Sequence, residues 1–213
     1  MTGHLPDRVQ IELAEREALR AEASALLSRL YEPAGYAADH DADRGEHKIP
    51  FVVRLDGATI GTLTLGVDST AGLAIDATFG EEVAALRRRP GARLCELTTL
   101  AFDAAESRPL LAALFGAILR HGSEHYGCTD VLIEVSPIHR RFYERMLGFE
   151  VFAAPKISNR SGTTVVPMRI EVTPILCRAA EKASHSFHAA FASNTDFLQL
   201  SASAPSASRD IRR

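Results

Sequence analysis

The chain has 213 residues, 46% hydrophobic and 24% charged, with a net charge of −3 at pH 7. That size and balance fit one globular domain with a sizeable core and exclude a collagen-like or wholly disordered chain. The mildly acidic charge disfavours nucleic acid as a partner, and no run approaches the roughly 18 apolar residues of a transmembrane segment.

In chain order, Val9 to Leu30 carries a helical pattern, with Ile11, Leu13, Leu19, Ala23, Leu26, Leu27 and Leu30 set among charges. Tyr31 to Ile49 reads as loop. Phe51 to Leu55, the Asp56-Gly57 pair and Ala58 to Val67 predict a β-hairpin. Thr78 to Arg88 predicts a short helix closed by Pro90-Gly91, and Arg93 to Phe102 a strand. Pro109 to Tyr126 predicts a helix with the stripe Leu111, Leu114, Phe115 and Ile118, capped by Gly127. Val131 to Val135 reads as a buried strand. Ser136 and Pro137 then open a helix from Ile138 to Met146, stopped at Gly148-Phe149. Phe149 to Ala153 and Thr163 to Val172 complete the sheet. The alternation predicts an α/β (α+β) fold, a mixed central sheet flanked by helices. Residues 1–176 read as the domain and 177–213, rich in Ser and Ala, as a weakly helical to disordered tail.

Met1 to Gln10 holds no apolar signal core, and Cys95, Cys128 and Cys177 form no C-x-x-C pair, so a reducing cytoplasm is expected. His121 and His125 stand one turn apart with Cys128 beyond, but they occupy the last turn of a helix, where the dipole favours His. No metal is expected there.

The chemistry concentrates in two segments. Glu96 is the single carboxylate of an apolar strand. With strict alternation Leu94, Glu96, Thr98, Leu100 and Phe102 share one face. An isolated carboxylate buried there holds its proton more tightly, as a general base near neutral pH requires. Pairing with Arg93 or Arg29 in a purely structural role is the equal alternative. A bulge at Thr98-Thr99 would aim backbone amides at a carbonyl; plain strand formers are the competing reading. Farther on, His139 and Tyr143 lie i, i+4 on one helix face, where a phenol can serve a departing thiolate or simply pack the helix.

These residues resemble the GNAT acyltransferase superfamily, and more narrowly its branch of FeeM-type N-acyl amino acid synthases, related to the acyl-homoserine lactone synthases. The resemblance runs roughly from Leu19 to Glu171. It is carried by Tyr31, Gly35-Tyr36, Asp41-Ala-Asp43, the segment Phe79 to Leu86, the strand Glu96 to Asp103 and the segment Pro137 to Tyr143. It implies transfer of a long-chain acyl group from an acyl carrier protein thioester to the amino group of an amino acid, with no permanently bound cofactor. Glu96 and Tyr143 would be catalytic. Thr98, Thr99, Leu100, Phe79, Tyr36, Asp41, Asp43, Arg108 and His139 would bind substrate. Phe102, Phe115 and Ile133 join Phe79 and Leu100 as candidates for an acyl tunnel.

Three departures qualify that picture. Thr99 stands where lactone synthases carry Arg, against S-adenosylmethionine as acceptor. Residues 103–109 hold no glycine, so the phosphate cradle of acetyl-CoA enzymes is absent and a carrier protein suits better. Tyr143 precedes Gly148 by five residues rather than four. The arginines at 87–89, 93, 140, 141 and 145 would face an acidic carrier, or are scattered solvated charges. The alternatives are an acetyl-CoA-dependent GNAT N-acetyltransferase and a non-catalytic acyl-binding module.

Overall fold

Asp56 and Gly57 both take positive φ, 51° and 82°, the backbone that a tight primed hairpin turn requires. The turn joins β2 (Lys48–Leu55) to β3 (Ala58–Val67), as the sequence leads one to expect. The computed structural model describes residues 9–31, 45, 47–103 and 107–172. Around the hairpin lie β1 (Val9–Leu13), α1 (Glu17–Tyr31), α2 (Asp76–Arg87), β4 (Leu94–Phe102), α3 (Ser107–Tyr126) and β5 (Asp130–Val135). A short helical segment, β6 (Glu150–Val151), β7 (Lys156–Ile157) and β8 (Thr164–Glu171) follow.

The sheet runs β1-β2-β3-β4-β5-β8-β6, with β7 on β8. Its neighbours are antiparallel except β4 and β5, whose parallel pairing uses α3 as the crossover. This is the expected α/β arrangement.

The first element differs from expectation. Val9, Ile11 and Leu13 have period two as well as a place in a helical pattern, and the chain uses the former, pairing with Leu55 to Phe51 as an edge strand. Helix α1 begins only at Glu17.

The helix expected from Ile138 is also different. Pro137 to His139 form a turn closed by the His139 amide on the Ser136 carbonyl at 2.9 Å, without a side-chain cap. Three α-helical residues, α4 (Arg140–Phe142), then widen into a π-turn, Tyr143–Leu147. Gly148 stops it at φ 76°, and the Phe149 amide reaches back to the Tyr143 carbonyl at 3.1 Å. The extra residue between Tyr143 and Gly148 is thus taken up by the wider turn.

Two apolar layers cover the sheet. On one face Cys95, Leu97, Val131 and Ile133 pack with Leu114, Phe115 and Ile118 of α3, joined by Tyr143 and Phe149. On the other, Leu94 and Leu132 pack with Ile75, just before α2, and with Phe79 and Val83 of α2, while Val52 meets Leu19 and Ala23 of α1. Glu96 lies on this second face, over the start of α2.

Candidate active site

The strand β4 positions the central carboxylate and then breaks its own regularity. Glu96 is 2% exposed. Its Oε1 accepts from Lys48 Nζ at 2.6 Å and from the Ala74 amide at 2.8 Å, and its Oε2 from the Ile75 amide at 3.0 Å. Two amides at the mouth of α2 and one ammonium therefore replace the lost water, which is how a charge is kept in an apolar layer. Neither Arg93 nor Arg29 is the partner. Arg29 bonds Asp103 at 2.9 Å instead.

Lys48, Gly66 and Glu96 stand in one row across β2, β3 and β4. A Cβ on Gly66 would lie 2.9 Å from Glu96 Cγ and 3.0 Å from Lys48 Nζ. The glycine is what lets the ion pair lie flat on the sheet. Sequence reasoning missed Lys48 and Gly66.

Beyond Glu96 the strand bulges. Thr62 pairs with Ala101 and Thr64 with Thr98, so Thr99 and Leu100 together stand opposite Leu63. Thr99 takes φ 53°, a costly conformation for a β-branched residue. Its hydroxyl bonds the Thr64 hydroxyl at 2.6 Å, and the Tyr31 hydroxyl donates to the Leu100 carbonyl. The bulge also reverses the expected facing. Phe102 joins Cys95 and Leu97 on the α3 side, whereas Ala101 packs with Leu26 and Leu27 of α1.

The β4–β5 ladder contains only three pairs, Leu94 with Asp130, Cys95 with Val131 and Glu96 with Leu132. Both strands continue past it, unpaired with each other, so an opening begins beside the carboxylate and the bulge.

The other expected residues divide among several places. Phe79 is fully buried on the Glu96 face, and its amide bonds the carbonyl of Ile75, the residue that also holds Glu96. It is a break in α2, at φ −123° and ψ 33°. Phe102, Phe115 and Ile133 line the opposite face, so the tunnel candidates do not form one cluster. Tyr143 lies on that opposite face too, its ring 6.5 Å from Phe115 and 5.9 Å from Phe149. Burial pushes its phenol well above the usual value. His139 begins the short helix with Nε2 buried and without a hydrogen bond, and burial lowers its pKa to about 4. Arg108 falls in the first turn of α3, its side chain outside the described set. Tyr36, Asp41 and Asp43 lie outside the described residues, as does the segment after Val172.

Several arginines of the supposed patch are engaged internally. Arg87 clamps Asp68 and Asp76, Arg89 bonds Asp130, and Arg140 bonds Glu144. Arg88, Arg93, Arg141 and Arg145 are exposed.

A cleft of about 510 Å³ opens at the edge of β2 past the end of β1, lined by Leu13, Arg20, Lys48, Pro50, His121 and Tyr126 among others. His121 stacks on His125 at 4.3 Å, and burial together with His125 lowers its pKa. Among the described residues no group of three His, Cys, Asp or Glu side chains is placed to hold a metal.

The family model described as N-acyl amino acid synthase FeeM matches residues 22–171. The chain is similar in structure to FeeM, an N-acyl amino acid synthase from uncultured soil microbes, with a TM-score of 0.71 and 24% identity over 84% of this chain and 98% of that one. It is also similar to MesI, a CoA-dependent acyl-homoserine lactone synthase, with a TM-score of 0.50 and 16% identity over 83% and 95%. An N-acetyltransferase from Staphylococcus aureus Mu50 shares the fold at a TM-score of 0.55 and 11% identity over 77% and 97%. No curated protein matches the chain significantly.

Proposed function

The chain belongs to the N-acyl amino acid synthase FeeM family and is an acyltransferase of GNAT fold, and on that premise we propose that it moves a long-chain acyl group from an acyl carrier protein thioester to the α-amino group of an amino acid. The observation that carries this reading is the coincidence, in one strand, of three features: a buried carboxylate, a strained bulge, and the point where β4 and β5 part. In this reading the thioester arm enters between the strands, and amides around Thr98 to Leu100 face the carbonyl oxygen.

The amine nitrogen attacks the thioester carbon, and the C–N bond forms as the C–S bond breaks. Glu96 takes the amine's proton. The thiolate leaves and is then protonated through solvent, so the products are one amide and one thiol. Tyr143, kept protonated by its burial, is a hydrogen-bond donor to the departing sulfur rather than a source of its proton. Leu100, packed against the α3-side layer, contributes apolar wall for the acyl chain, whereas Phe79 lies on the Glu96 face. His139 and the first turn of α3, which carries Arg108, flank the donor.

A carrier protein is favoured as donor because residues 103–109 hold no glycine for a diphosphate cradle. The exposed Arg88, Arg93, Arg141 and Arg145 suit an acidic partner. The competing donor is acyl-coenzyme A, the dependence stated for the neighbour MesI. No described helix is long and apolar enough to cross a membrane. A cytoplasmic setting fits the two free buried cysteines, Cys95 and Cys128.

The test is direct. Purified protein is incubated with acyl carrier proteins and acyl-coenzyme A esters of graded chain length, plus mixed amino acids, and products are read by mass spectrometry. N-acyl amino acids formed from long-chain carrier thioesters support the proposal. Turnover of acetyl-coenzyme A alone overturns it.

A further inference from the structure

Lys48 faces two ways. Its ammonium bonds Glu96 Oε1 at 2.6 Å, and the residue also lines the cleft at the β2 edge. Its side chain is 19% exposed, whereas that of Glu96 is 2% exposed. Lys48 borders that cleft and Glu96 does not, so the pair is approached from the Lys48 side.

We propose that the Lys48–Glu96 pair is the acceptor site and that it selects a zwitterion: the α-carboxylate of an amino acid on Lys48 Nζ and its ammonium on Glu96. This deepens, and rests on, the acyl-transfer reading above. The ammonium and carboxylate of an α-amino acid are separated by a single carbon, so they fit alongside a cation and an anion that are themselves in contact. Each charge of the ligand then meets its opposite, and no net charge is added to a buried place. A simple amine has no such match. Its ammonium at Glu96 would sit against the Lys48 ammonium without a carboxylate to offset it, a like-charge contact that disfavours it.

Arg20 adds a second cation to the cleft wall, its Nε held by the Ala14 carbonyl at 2.8 Å, while Glu15 on the same wall keeps the cleft from being a general anion trap. Leu13, Pro50 and Tyr126 supply an apolar surface for the acceptor's side chain. Gly66 keeps the pair open from above, since any Cβ there would press on both partners. Lys48 acts here as a positioning and specificity residue; Glu96 remains the group that touches the reacting nitrogen.

The experiment compares leucine with 3-methylbutylamine, the same skeleton without its carboxylate, in the wild type, Lys48→Met and Lys48→Arg. The wild type should favour leucine by about a hundredfold or more in kcat/KM, the discrimination expected where a buried polar partner goes unmatched. In Lys48→Met that ratio should fall to within about fivefold, through a higher KM for leucine, with the KM for the acyl donor unchanged. Lys48→Arg should keep most of the preference. Calorimetric titration with leucine gives a readout independent of turnover, and thermal melts show that each variant is folded. A Lys48→Met protein that is folded and still prefers leucine overturns the inference. So does a wild type that acylates both acceptors equally, which leaves the transferase reading standing. A wild type that acylates neither of these nor any other amino acid overturns the reading beneath it.

Discussion

Lys48 and Glu96, 48 residues apart in the chain, meet at 2.6 Å across Gly66 on the inner face of the sheet. The contact needs three adjacent strands in register and a glycine at the middle position. A methyl group added at residue 66 meets the Cγ of Glu96 at 2.9 Å, too close to an atom near the backbone to be relieved by a side-chain swing. Gly66→Ala should therefore destabilise the fold by about 1–3 kcal/mol and lower transfer more than about tenfold as the carboxylate is displaced. Urea denaturation and steady-state kinetics read both effects. A variant of wild-type stability and rate would show that the pair has room to spare.

The bulge makes a second prediction. Thr99→Gly relieves a positive φ that costs about 1–3 kcal/mol and forfeits a hydroxyl bond to Thr64 worth about 1 kcal/mol. Its stability should lie within about 1–2 kcal/mol of the wild type. Thr99→Val keeps the strain and loses the bond, so it should be the less stable of the two by denaturant midpoint. The reverse order would mean the backbone there is not held in the strained form.

For Tyr143, replacement by Phe keeps the aromatic packing with Phe115 and Phe149 and deletes only the hydroxyl. The expected loss in kcat is about tenfold, the worth of one hydrogen bond. Because burial holds the phenol well above its ordinary value, no loss of wild-type activity traceable to Tyr143 should appear between about pH 8 and 10. A limb in that range that vanishes in the Phe variant would make the phenol a true proton donor.

The pH dependence of stability has a specific source in His139, whose folded pKa of about 4 lies below the ordinary 6.5. Between those values the unfolded chain binds more protons than the folded one, so stability is full above about 6.5 and declines as pH falls toward 4. His139→Gln should flatten that decline in chemical melts across the window. An equally steep decline in the variant would assign the acid sensitivity to other groups.

What the sequence revealed and concealed has physical causes. The Asp56-Gly57 turn, the α3 stripe and the lone strand carboxylate are local signals, and each stands where expected. Lys48 was hidden because the residues before Pro50 read as loop, whereas β2 already begins at Lys48. A second bulge, at Val53–Arg54, also leaves Ile60 unpaired and shifts the hairpin register by one residue. An unbroken register from Leu55 and Ala58 would set Lys48 opposite Leu65, on the wrong face. The same kind of irregularity at Thr99 reversed the facing of Ala101 and Phe102. The partner of Glu96 could not be read for a further reason: two of its three donors are backbone amides, which carry no side-chain signature.

The most direct measurement is the yield of N-acyl amino acid from a long-chain acyl carrier protein, compared between the wild type and Glu96→Gln. Gln is nearly isosteric and still accepts a hydrogen bond, but it can neither take the amine's proton nor pair with its charge. Product from the wild type and a loss of at least about hundredfold in the variant is the predicted result. Equal yields from two folded proteins would contradict it, and would leave the buried carboxylate as a strut between β4 and α2.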